Sequence, residues 1–127
     1  MAYKSALAKA QGLGSAKSGT MHWWMQRVTA VALIPLSFWV ILFIKQLLSA
    51  PFNDMQQWLV NPVNASLLLA WVCIGFYHAV LGLQIVIEDY VSAEFWQISL
   101  VWLLKLAGLA GAISSLVLLM KIAVAAG

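Results

Sequence analysis

Few side chains in this sequence can do chemistry. The whole chain holds two histidines, four carboxylates, seven cationic side chains and one cysteine (Cys73) in 127 residues. A single cysteine supports neither a disulfide framework nor a cysteine-based metal cluster built from this chain alone. No glycine-rich phosphate loop is present, and Ser, His and Asp do not converge at catalytic spacing, so the chain alone is not a catalyst. His78 stands apart. It is the one ionisable group deep inside an apolar stretch, nine residues before Ile87, or about 14 Å along a helix at 1.5 Å per residue. An ionisable group at membrane depth is costly and is a functional candidate by default. Gly75 and Gly82 lie three residues before it and four after it. On a helix these share a face with Trp71, Ile85 and Asp89, so bare backbone is expected on both sides of the imidazole, enough for a flat ligand. Neutral imidazole is a good axial ligand for haem iron. The same spacing equally suits a histidine bonded to a neighbouring helix, with the glycines serving helix packing, and both readings stay open at this point.

His22 is the only other histidine, and it sits at the mouth of an earlier apolar segment. It cannot easily reach an iron held by His78, so a second axial ligand would have to come from another chain. His22 and Arg27 are better suited to a haem propionate or to lipid phosphates, Arg because its planar fork binds carboxylate with two parallel bonds. Glu88, Asp89 and Tyr90 close the His78 segment. Acids at a helix C-terminus face the negative pole of its dipole, which calls for a compensating cation. For Glu88 a solvated turn is expected, whereas Asp89 shares the His78 face. The Tyr90 phenol could donate to a quinone carbonyl or belong to an aromatic belt.

The segments that carry these residues belong in a bilayer. Hydrophobic residues make up 64% of the sequence and charged residues 9%, against about 45–50% and about 25% in soluble domains. The fold class expected is all-α and integral to the membrane, with three transmembrane helices at about 23–48, 64–90 and 94–122. They form an anchor domain over 21–127 behind a basic arm at 1–20. Pro35 should kink the first helix, and the polar stretch Ser49–Val63 should lie in the interface with one helical turn. Gly108, Gly111, Ala112 and Ser115 form a ridge that lets another helix approach closely.

Lys4, Lys9, Lys17, Arg27 and Lys105 fall on the side of the N-terminus, and Lys45 and Lys121 on the other. The positive-inside rule therefore puts the N-terminus in the cytoplasm and the C-terminus in the periplasm. The arm shows neither the apolar core of a secretory signal nor the arginines of a mitochondrial presequence, so a bacterial inner membrane is expected.

The run His78-Ala79-Val80-Leu81-Gly82-Leu83-Gln84-Ile85-Val86-Ile87-Glu88-Asp89-Tyr90 resembles the second-helix motif of the smaller membrane anchor subunit of succinate dehydrogenase, respiratory complex II. Gly19-Thr20-Met21-His22-Trp23-Trp24-Met25-Gln26-Arg27-Val28-Thr29-Ala30 resembles the opening of that subunit's first helix. The likeness extends over nearly the whole chain, and its specific part is the His-to-Asp-Tyr motif. The resemblance implies that His78 is an axial ligand of haem b, paired with a histidine of a larger cytochrome b anchor subunit. It implies that Tyr90 hydrogen-bonds ubiquinone, that Asp89 orients a partner arginine, and that Arg27 lies near the haem propionates, with His22 a further candidate there. Its implied partners are the larger anchor, an iron–sulfur subunit and a flavoprotein that oxidises succinate. The alternatives are the anchor of a quinol:fumarate reductase, a haem-free scaffold working through the Gly108–Ser115 ridge, and a proton-coupled transporter. The last would want a buried carboxylate, and every Asp and Glu lies at the ends of the expected spans or outside them.

Overall fold

A computed structural model describes residues 5–7 and 19–125. The arm expected over 1–20 therefore lies almost wholly outside the described residues. Four helices account for most of the rest: α1, Gly19–Ser49; α2, Phe52–Val60; α3, Pro62–Tyr90; and α4, Glu94–Ala125. Three of them, α1, α3 and α4, are long and apolar enough to cross a membrane. At 1.5 Å per residue they measure about 44–48 Å, more than the roughly 30 Å hydrocarbon core, so their ends reach the headgroup layers. All three extend a little beyond the spans expected from hydropathy. The backbone groups at their ends gain more from continuing the helical bonding than from stopping where the apolar run stops.

α1 runs unbroken through Pro35. α3 begins on Asn61, whose side chain accepts from Val63 N–H, with Pro62 in the first turn, where its missing donor costs nothing. α2 exceeds the single turn expected. Met55, Trp58 and Leu59 recur at i, i+3 and i+4; Leu59 is buried, and the Trp58 ring stacks on Phe43 at 4.0 Å and Trp39 at 5.2 Å between centroids. An interfacial segment with one apolar face is stabilised as a helix by laying that face on the bundle.

α3 is the central helix, packed against α1 on one side and α4 on the other, with α2 across the end at which it meets α3 and α4. The small-residue ridge of α4 is what admits α3. A Cβ at Gly111 would stand 2.5 Å from Phe76 Cε1, and one at Gly108 would collide with Val80. Val40, Leu59, Leu81 and Thr29 are the only buried residues among those described. Such a thin interior suits a chain whose other faces meet lipid or protein, because helices in lipid associate by close packing and interhelical hydrogen bonds and not by expelling water.

Candidate functional site

The α1–α3 seam is a ladder of polar contacts. Trp71 Nε1–H donates to Ser37 Oγ at 2.9 Å, and His78 Nδ1 lies 2.8 Å from Thr29 Oγ1. The Gln26 amide nitrogen sits 3.2 Å from where a Cβ on Gly82 would be. The paired numbers sum to 107 or 108 at each rung, the register of two antiparallel helices in continuous contact. The histidine face of α3 therefore looks at α1. A hydrogen bond of this kind inside a membrane is worth about 0.6–2 kcal/mol.

His78 is half-buried, and its two nitrogens differ. Nδ1 is taken by Thr29. Nε2 has no hydrogen-bond partner among the described residues and, unlike His22 Nε2, is not sealed from the surface. Nδ1 thus bonds a neighbouring helix, as one of the two sequence readings has it, and Nε2 is left without a hydrogen-bond partner among the described residues. The glycines divide similarly. No atom lies within 4 Å of a Cβ placed on Gly75, whereas the Gly82 side is occupied by Gln26. Bare surface was expected on both sides of the imidazole; it is present on the Gly75 side alone. A planar haem on the Nε2 side fits this donor set, an unencumbered imidazole nitrogen beside open backbone. No other histidine stands beside His78 among the described residues. His22 lies seven residues before Thr29, about 10 Å along α1 from the level of His78.

His22 and Arg27 do not converge. His22 lines a groove of about 670 Å3 floored by α3 between α1 and α4, with Gln84, Glu88 and Lys105 also on its walls, and its Nε2 is buried without a partner. Gln26 Oε1, one turn further along, is likewise buried and unpartnered. Arg27 is exposed on another side of α1, its guanidinium 5.2 Å from the Trp23 ring centroid. Five residues of helix turn through about 140° net, which explains the separation. Lys105 rests against Trp102 at 5.7 Å.

At the end of α3, Asp89 and Tyr90 are both exposed, and Tyr90 is 85% accessible. No described residue hydrogen-bonds either side chain. Tyr90 is 12 residues past His78, about 18 Å along the helix. Glu88 is exposed, as expected for a turn, yet it is bonded: Gln84 donates to its carboxylate at 2.7 Å, and Gln97 of α4 donates to its backbone carbonyl at 2.9 Å. The Gln97 bond spans the short turn at 91–93 and satisfies a carbonyl that the helix end leaves open.

Sequence reasoning missed Thr29. It is the one buried polar residue described, 5% accessible, within the apolar run of α1. The available signal was its position seven residues after His22, on the same face of α1.

Fold and site together define a multi-pass membrane protein whose central helix carries a half-buried imidazole hydrogen-bonded to its neighbour. Residues 1–124 match the family model described as succinate dehydrogenase/fumarate reductase transmembrane subunit, and the chain belongs to that family. Among curated relatives, the succinate dehydrogenase hydrophobic membrane anchor subunit of Rickettsia conorii is 44% identical over 71% of this chain and 72% of its own. The subunit of the same name from Rickettsia bellii is 38% identical over 82% and 83%, and that from Paracoccus denitrificans 31% over 71% and 70%. No solved structure matches the chain significantly.

Proposed function

We propose that this chain is the smaller membrane anchor of a succinate:ubiquinone oxidoreductase in a bacterial inner membrane. It holds a flavoprotein and an iron–sulfur subunit on the bilayer together with a larger cytochrome b anchor. The observation that carries the reading is His78, with Nδ1 committed to α1 and Nε2 left open beside Gly75. His78 would hold haem b on this chain's side, with a histidine of the larger anchor opposite. When bound, that haem supplies a one-electron redox centre.

The remaining residues take roles consistent with their levels. Arg27 is two residues from Thr29, about 3 Å in height from the level of His78, and its exposed guanidinium suits a propionate. His22 has an unpartnered nitrogen and suits a further carboxylate or phosphate oxygen. Tyr90, uncovered at the helix end, is placed to donate its phenol hydrogen to a ubiquinone carbonyl once the soluble subunits close over it. Asp89 beside it would hold a partner cation, which also offsets the acid's position at the helix C-terminus. The charge count puts this end, with the N-terminus, on the cytoplasmic side, so protons for quinone reduction would arrive from there.

Deleting the chain tests the anchoring role. Succinate oxidation with a soluble dye should move to the soluble fraction and succinate:ubiquinone turnover should vanish. Full activity remaining in membranes would contradict it. Succinate:quinone and quinol:fumarate rates compared in the intact complex separate this reading from a fumarate reductase anchor.

A further inference from the structure

Thr29 Oγ1 makes three contacts: Met25 O at 2.7 Å, Gln26 O at 3.2 Å and His78 Nδ1 at 2.8 Å. A hydroxyl has one hydrogen to give. The two carbonyl oxygens have none. An O···O distance of 2.7 Å is that of a good O–H···O bond; if the hydroxyl hydrogen were turned toward Nδ1, two oxygen lone pairs would face each other at that distance in a buried place. The hydrogen therefore goes to Met25 O, as threonines in helices commonly arrange. Oγ1 then offers His78 only lone pairs, and Nδ1 must be the donor. The ring's hydrogen is thereby fixed on Nδ1, and Nε2 is a bare lone pair.

We infer that Thr29 is a positioning residue for the haem site: its hydroxyl, anchored to the α1 backbone, selects the tautomer and ring orientation in which His78 Nε2 can bind iron. The inference rests on the reading of His78 as an axial ligand. It adds to that reading a residue on a different helix, 49 positions away, that acts through His78. Acceptors of this kind raise the donor strength of the opposite nitrogen, and the chain from His78 through Thr29 to Met25 O polarises in one direction. A stronger imidazole donor favours ferric over ferrous iron and lowers the haem potential.

The test uses the assembled complex carrying Thr29→Val or Thr29→Ser, with haem content, low-spin ferric EPR and haem midpoint potential as readouts. Val keeps the shape and removes the acceptor; Ser keeps the acceptor. Thr29→Val should weaken the ferric preference about tenfold, a potential rise of about 59 mV for one electron, with a shifted EPR envelope, while Thr29→Ser stays at the wild-type values. Loss of haem from Val with retention in Ser is the stronger form of the same result. An unmoved potential in Val, or equal shifts or haem loss in both variants, overturns the inference. The parent reading fails separately: it falls if the wild-type complex lacks b-type haem or if His78→Ala leaves the haem spectrum intact. If His78→Ala abolishes that spectrum while Thr29→Val changes nothing, only the role of Thr29 is lost.

Discussion

An imidazole halfway through a bilayer has two nitrogens to satisfy, and the neighbouring helix satisfies only one. Thr29 offsets the cost of burying Nδ1 of His78, whereas Nε2 has no partner among the described residues; on the proposed function a ligand bond to iron would meet it. Tyr90 poses the opposite situation. Its phenol is uncovered, so its energetic contribution depends on what arrives. For Tyr90→Phe we expect succinate:ubiquinone turnover to fall about tenfold, the equivalent of one lost hydrogen bond of roughly 1.4 kcal/mol, with dye-linked succinate oxidation unchanged. Wild-type quinone turnover would assign Tyr90 to the aromatic belt. Asp89→Asn should give a smaller loss of the same activity, because the amide keeps the acceptor oxygen and removes the charge; equal quinone affinity and turnover would take Asp89 out of the site.

The glycines act at the scale of the helices, and their roles differ by what each one faces. Gly111 and Gly108 are contact points between α3 and α4, with Phe76 and Val80 where a side chain would go. Gly111→Val should destabilise the bundle by about 1–3 kcal/mol through overpacking, measured as a lower melting temperature of the detergent-solubilised complex. Gly75 faces open space, so Gly75→Leu should leave the assembly of the complex intact while reducing its haem content; normal haem content would place the porphyrin elsewhere. Much of this level was legible beforehand. Apolar runs of membrane length read directly as spans, and four small residues at helical spacing read as a packing ridge. α2 was under-read because Pro51, Asn53, Asp54 and Asn61 give its flanks the composition of a loop, while Met55, Trp58 and Leu59 carry the period. The Gly82 side was misjudged for a different reason. Spacing along α3 shows where backbone is bare but says nothing of which residue of α1 lies opposite, and that residue is Gln26. Thr29 escaped for the same cause, since its significance lies in a partner on another helix.

At the scale of the whole molecule, a bundle with four buried residues among those described leaves most of its surface to lipid or to partner subunits. On the proposed function, its exposed apolar flanks would meet lipid and the larger anchor, and its polar end would meet the soluble arm. Orientation decides which end that is. In a Cys73→Ser background, Ser92→Cys in the α3–α4 turn should resist a membrane-impermeant thiol reagent applied to intact spheroplasts, whereas Asn53→Cys in α2 should react; the reverse pattern would put the quinone-facing end on the periplasmic side. The central claim, however, is that His78 binds iron. The direct measurement is the reduced-minus-oxidised optical spectrum of the purified complex, wild type against His78→Ala. The account predicts b-type haem bands in the first that are lost or displaced in the second; a wild-type spectrum without those bands, or a variant spectrum that matches it, would contradict the account.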